Sequence, residues 1–215
     1  MHFMKTENVE VKGLPEYLQL PEREWHRFMA SDVACTLRKT SSKSAPGPDL
    51  LGWALFKTLA RDKEVLQSMT DALNNMIERE ECIPYLKESK TVIIPKPGRG
   101  DYSIPKNYRP IALMNTFAKL VTKLVAERMG EESYRHDILH PAQYGGVEKK
   151  STLDAALHMV HRVVEVREMG YFTSALAVDI SQFFPSLRHD VLVHTLRSQG
   201  FAKPIVNFIE HWLKG

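Results

Sequence analysis

Apolar residues recur along this chain first at helical spacing, then in short β-branched runs, then at helical spacing again. Residues 1–24 are polar and interrupted by Pro15 and Pro21, so they predict an irregular lead-in. Phe28, Val33 and Leu37 mark a first helix, which ends in the Ser/Pro/Gly loop KTSSKSAPGPD. Between 51 and 79, Leu55, Leu59, Leu66, Met69, Leu73 and Met76 predict one or two further helices. A β-branched run at 91–94 and a second short run at 110–113 flank a long basic Pro/Gly loop, the pattern of a hairpin. Asn115 or Thr116 can cap the next helix, with Phe117, Leu120, Val121 and Leu124 as its stripe and Gly130 as its stop.

The second half is patterned as clearly. Ser151 and Asp154 have capping-box spacing, Leu153, Ala156, Leu157, Val160 and Val164 line one helical face, and Gly170 ends it. A strand is predicted at 171–179, with Phe172, Leu176 and Val178 on one face and Thr173, Ala175, Ala177 and Asp179 on the other. Helices at 188–199 and 203–214 follow. The last carries Phe201, Ile205, Phe208, Ile209, Trp212 and Leu213 as an apolar stripe that needs a partner. Left uncovered, that stripe would drive self-association. The fold class these elements imply is α+β.

Composition narrows this picture only a little. A hydrophobic fraction of 43 % over 215 residues supports a real core, and the net charge of +3 is too small to imply nucleic acid by itself. Two distant cysteines, Cys35 and Cys82, have no metal-ligand spacing and suit free thiols in a reducing compartment. No signal-length or membrane-length apolar run occurs, so an intracellular protein of nucleus or cytoplasm is expected, neither secreted nor membrane-bound. His158 and His161 share a helix face without the glutamate of a zinc motif, and no P-loop or nucleophile elbow is present.

Asp179 stands out chemically. A carboxylate flanked by Val178, Ile180, Phe183 and Phe184 is costly to desolvate without a cation or several donors. Either it caps a turn on the backbone of Ser181 or Gln182, or it ligates a hard cation such as Mg²⁺. The basic hairpin is the second feature: Lys87, Lys90, Lys96, Arg99, Lys106 and Arg109 crowd one segment against only Glu88 and Asp101. Such a run is either a solvated charged loop or a phosphate-binding surface.

Four segments together carry a resemblance. SAPGPDLLGWALFK (44–57), the hairpin and helix from 90 to 129 with its NYRPIAL core, QYGGVEKKSTLDAAL (143–157) and ALAVDISQFFPSL (175–187) occur in this order. They resemble the successive motifs of reverse transcriptases of non-LTR (LINE-type) retrotransposons, over roughly residues 30–215. Gly146, Leu86 and Pro185 depart from the commoner residues of that pattern. The resemblance implies a partial right-hand polymerase fold: a lead-in at 1–30, helix-rich fingers with a β-hairpin at 31–170, and the start of a palm at 171–215. It implies Asp179 and the backbone carbonyl of Ile180 as Mg²⁺ ligands, and Phe184 under the sugar of the incoming nucleotide. Lys96 and Arg109 would reach the triphosphate, and Gln143 would lie near the nucleotide pocket. Arg99, Lys106, Lys149 and Lys150 would meet nucleic-acid phosphates more weakly. An RNA template, a DNA primer and dNTPs are the implied partners.

Two-metal nucleotidyl transfer needs carboxylates from more than one segment. The family supplies them from an adjacent aspartate pair, and no Asp-Asp occurs in this sequence. The expectation is therefore a truncated polymerase domain, inactive by itself. The alternative is a non-enzymatic retroelement remnant or repurposed fragment that binds nucleic acid weakly at most.

Overall fold

In the computed structural model, which describes residues 18–98, 100–180 and 183–214, the stripes at helical spacing largely meet in one core. Five helical segments and a hairpin come first: α1 (Ala30–Lys39), α2 (Trp53–Leu59), α3 (Lys63–Glu78), the single turn α4 (Pro84–Lys87), β1 (Ser89–Pro95), β2 (Tyr108–Met114) and α5 (Thr116–Arg135). Then follow α6 (Thr152–Glu168), the single turn α7 (Phe183–Ser186), α8 (His189–Ser198) and α9 (Lys203–Leu213). The α+β class holds, with a helix-rich chain and one two-stranded antiparallel sheet among the described residues.

Val33 and Leu37 of α1, Leu73 and Ile77 of α3, and Leu120, Val121 and Leu124 of α5 form the core. Helices α3 and α6 start on side-chain caps. Asp62 caps α3 by accepting from the amides of Glu64 and Val65. The Ser151–Asp154 capping box of α6 is formed, with the Ser151 amide donating to Asp154 at 2.7 Å. Gly170, at φ +82°, ends α6 in a Schellman motif: its amide donates to Arg167 and that of Tyr171 to Val166.

Several expectations change. Leu55 and Leu59 face solvent, and Trp53 and Phe56 bury in their place, because α2 is a separate short helix with its own phase. Gly130 does not stop α5, which runs on to Arg135. The last turns pack Met129 against the core and bury Ser133, and a glycine within a helix costs only roughly 1 kcal/mol. The C-terminal stripe is not left open. Ile205 and Phe208 of α9 are in the main core and Phe201 is 4 % exposed, so the surface expected to drive self-association is spent inside the chain.

The lead-in at 18–29 is irregular but tied down. Leu20 and Arg23 donate backbone amides to Ser198 and Gly200, and Phe28 exchanges two bonds with the side chain of buried Asn74. The Arg128 guanidinium lies 4.5 Å from the Phe28 ring centre, which further binds this strap to α5.

The strand expected at 171–179 does not form. Residues 171–180 are irregular and exposed throughout, Phe172, Leu176 and Val178 almost completely. A strand exists through its inter-strand bonds, and among the described residues β1 and β2 pair only with each other. Helix α6 likewise buries none of its residues, and its predicted stripe of Leu153, Leu157, Val160 and Val164 is exposed. No helix of the described residues is long and apolar enough to cross a membrane.

Candidate functional site

The hairpin stands clear of the core, with most of β1 and β2 exposed on both faces. Its register pairs Ile94 with Arg109, Val92 with Ile111 and Lys90 with Leu113. Directly paired residues share a face, so Arg109 lies beside Ile94, with Lys96 two residues further along the same side. The guanidinium of Arg109 is exposed and has no hydrogen bond or ion pair among the described residues. Five N–H donors on a rigid fork are thus available to an outside acceptor.

Lys96 is placed differently. Its ammonium donates to the Lys106 carbonyl at 2.7 Å, and its amide donates to the Asn107 carbonyl at 2.8 Å. Tyr102 donates its hydroxyl to the Lys96 carbonyl, and Tyr108 donates to that of Tyr102. Lys96 therefore closes the base of the hairpin loop, with its ammonium turned onto the Lys106 carbonyl. Lys106 is exposed, and Arg99 lies outside the described residues.

The loop before α6 is braced from within. Gln143 turns its amide onto the Gly145 carbonyl. The Lys150 ammonium donates to Pro141 and Gln143 and sits 5.0 Å from the Tyr144 ring centre. Tyr144 also meets His158 edge-on. Lys150, expected to hold nucleic-acid phosphates, thus spends its donors on this loop, while Lys149 is exposed at φ +63°.

Asp179 is exposed, and the Ile180 side chain is 64 % exposed. The capping partners considered for Asp179, Ser181 and Gln182, lie outside the described residues. Phe184 is the second residue of α7, is 84 % exposed, and meets Phe183 edge-on at 5.4 Å. Among the described residues no hydrogen bond, ion pair or ring contact joins residues 139–187 to the rest of the chain, and no group of three His, Cys, Asp or Glu side chains could hold a metal. The structure therefore brings Lys96 and Arg109 together on one hairpin, and it does not bring Asp179, Phe184 or Gln143 to them.

Sequence reasoning missed the root of the hairpin. Asn115, read as a cap of α5, makes no side-chain cap bond. Fully buried, it accepts from the Asp49 amide at 3.1 Å and donates to the Tyr85 carbonyl at 2.9 Å. The Tyr85 hydroxyl donates to Asp49, which pushes its pKa up to about 12. Thr116 donates to the Leu51 carbonyl, and the Lys119 ammonium donates to Ala45. Burial holds the Lys119 ammonium below its ordinary range. The only sequence signal was an unusual density of Gly, Pro and Asp at 46–49, which says "turn" without saying what the turn packs on.

Comparison with known proteins accounts for these segments together. The profile of the family described as "Reverse transcriptase (RNA-dependent DNA polymerase)" matches residues 94–214, more than half the chain. The "Probable RNA-directed DNA polymerase from transposon BS" of Drosophila melanogaster is 24 % identical over 97 % of this chain and 22 % of its own length. The "Probable RNA-directed DNA polymerase from transposon X-element" of the same organism is 24 % identical over 87 % of this chain and 20 % of its own. A "Retrovirus-related Pol polyprotein from type-2 retrotransposable element R2DM", also from Drosophila melanogaster, is 26 % identical over 90 % of this chain and 17 % of its own. The chain thus spans about a fifth of the length of these relatives. It belongs to the reverse transcriptase family, with its likeness to the polymerases of non-LTR retrotransposons.

Proposed function

We propose that this chain is the fingers (31–170) and the start of the palm (171–215) of an RNA-directed DNA polymerase of a non-LTR retrotransposon. It would act on an RNA template, a DNA primer and dNTPs. The observation that carries this reading is the exposed guanidinium of Arg109, without a hydrogen bond or ion pair among the described residues, on a hairpin that also carries Lys96. A triphosphate spreads its charge over several oxygens, and a planar fork matches two of them at once. Nucleotidyl transfer is chiefly positioning and charge neutralisation, so an arginine and a lysine on one hairpin are suited to the incoming nucleotide.

Asp179 and the Ile180 carbonyl offer hard oxygen donors. That donor set suits Mg²⁺, which takes one or two protein oxygens together with substrate phosphates. Bound there, Mg²⁺ would neutralise the triphosphate and polarise the reacting phosphorus. Phe184, five residues beyond Asp179, would pack against the sugar, and Gln143 would border the nucleotide pocket. Lys106, Arg99 and Lys149 would contribute sequence-independent contacts to template phosphates.

A two-metal site draws on carboxylates from further segments, so the 215 residues alone are expected to bind nucleotide without extending a primer. The exposed setting of Asp179, which has no hydrogen bond or ion pair among the described residues, favours a second reading, in which the chain only binds nucleic acid. Titration with a fluorescent dNTP in Mg²⁺ tests the first. Arg109→Glu should weaken binding more than tenfold and Lys149→Glu less than twofold. Equal affinity for wild type and Arg109→Glu would overturn the nucleotide assignment, and RNA binding without dNTP binding would establish the second reading.

A further inference from the structure

Neither face of the hairpin packs on the core, so its orientation is set where it is rooted. Three segments meet at that root: the 45–51 loop, the α4 turn at Tyr85, and the β2–α5 junction at Asn115 and Thr116. Asn115 satisfies both ends of its amide with two of them, the Asp49 N–H and the Tyr85 C=O. Gly47 presses on the same junction. A Cβ there would lie 2.5 Å from the Asn115 nitrogen and from the Met114 carbonyl carbon and oxygen, all backbone atoms that cannot rotate away. Arg109 lies on β2, which ends at Met114 and so runs directly into this junction.

We propose that Asn115 and Gly47 are positioning residues for the nucleotide face of the hairpin, fixing the angle at which Arg109 is presented without touching the nucleotide. The inference rests on the nucleotide reading of Arg109 given above. Losing Asn115 orphans an N–H on the loop and a C=O before β1, and each then seeks water. The hairpin is freed to swing about its root, and the arginine fork is spread over more orientations than the triphosphate accepts.

Asn74 supplies the matched control. It is 2 % exposed and exchanges two backbone bonds with Phe28, but it ties the lead-in to α3 and has no bond to the hairpin. In the full 215-residue chain, Asn115→Ala and Asn74→Ala should both lower the unfolding midpoint. Only Asn115→Ala should weaken Mg²⁺–dTTP at least fivefold and speed amide exchange across β1 and β2; Asn74→Ala should stay within twofold in affinity. Asn115→Asp adds a rescue. Full burial of this position favours the neutral carboxyl, which keeps a donor and an acceptor, so affinity relative to wild type should rise as the pH is lowered and fall as the carboxyl ionises. Tyr85→Phe removes an exposed hydroxyl from the same knot, is not expected to impair folding, and should cost about twofold in affinity.

Affinity within twofold of wild type for Asn115→Ala with hairpin exchange unchanged overturns the proposal, and so, should that variant not fold, does wild-type affinity and wild-type hairpin exchange in Tyr85→Phe. Should Arg109→Ala itself bind like wild type, the nucleotide reading fails. Hairpin exchange in Asn115→Ala then decides the positioning role alone, and unchanged exchange overturns it.

Discussion

Helices α6 and α9 both carry an apolar stripe at helical spacing, and they end in opposite environments. Ile205 and Phe208 of α9 are buried against a core built mainly from α1, α3 and α5, whereas α6 buries none of its residues. Periodicity says that a helix has an apolar face; whether the face is covered depends on what the fold brings to it. The whole molecule divides the same way. Residues 18–138 and 189–214 are cross-linked by core packing and long-range hydrogen bonds, while the hydrogen bonds of 139–187 among the described residues run within that segment, with the pull of Glu148 on Lys39 as an electrostatic link to α1. The charged face expected to hold the nucleotide belongs to the first region, and the metal-binding motif to the second.

Paired truncations test this contrast most strongly. Phe208→Ala removes a side chain that is 2 % exposed from the core and should cost about 3–5 kcal/mol in urea unfolding. Leu157→Ala, at 58 % exposure on α6, should stay within about 0.5 kcal/mol. Comparable losses would mean that the α6 face is covered in solution.

A smaller effect comes from strain inside the packed region. Leu50 is held at φ 59° although it is 79 % exposed, because the Leu50 and Leu51 amides donate to Gly47 and Asp49. The left-handed conformation costs an L-residue about 1–2 kcal/mol, so Leu50→Gly should raise stability by about 1 kcal/mol. A loss on thermal unfolding would mean that the leucine side chain has a partner.

The smallest effect is a pH slope. Burial holds the Glu132 carboxyl above its ordinary value of 4.5, against the pull of Arg23 and Arg128. Arg23 Nη1 and Glu132 Oε2 are buried 4.0 Å apart without a hydrogen bond, so this pull is incomplete. The folded chain keeps that proton after the unfolded chain has lost it. Its contribution is therefore fully present below the unfolded pKa and fades as pH rises through the folded one. The stability of Glu132→Gln relative to wild type should grow from pH 4 to pH 7, and a constant difference would remove Glu132 from the account.

Much of this was legible where the cause is local. The turn chemistry of the hairpin, the Ser151–Asp154 box and the Gly170 stop depend on neighbours within a few residues. What sequence could not show was long-range: that Asn115 would leave its helix cap for Asp49 and Tyr85, that Lys96 would bond across its own loop, and that the last stripe would find a core. The strand at Asp179 failed for the same reason, since alternation supplies two faces and not the neighbouring strand.

The most direct test of the central claim is paramagnetic broadening on adding Mn²⁺–dTTP to the isotopically labelled chain. Signals from residues 177–180 and from the Arg109 side chain should broaden together. With Asp179→Asn the 177–180 signals should stay sharp, while the nucleotide still binds at Arg109. Broadening at 177–180 that survives Asp179→Asn would contradict a metal role for that carboxylate.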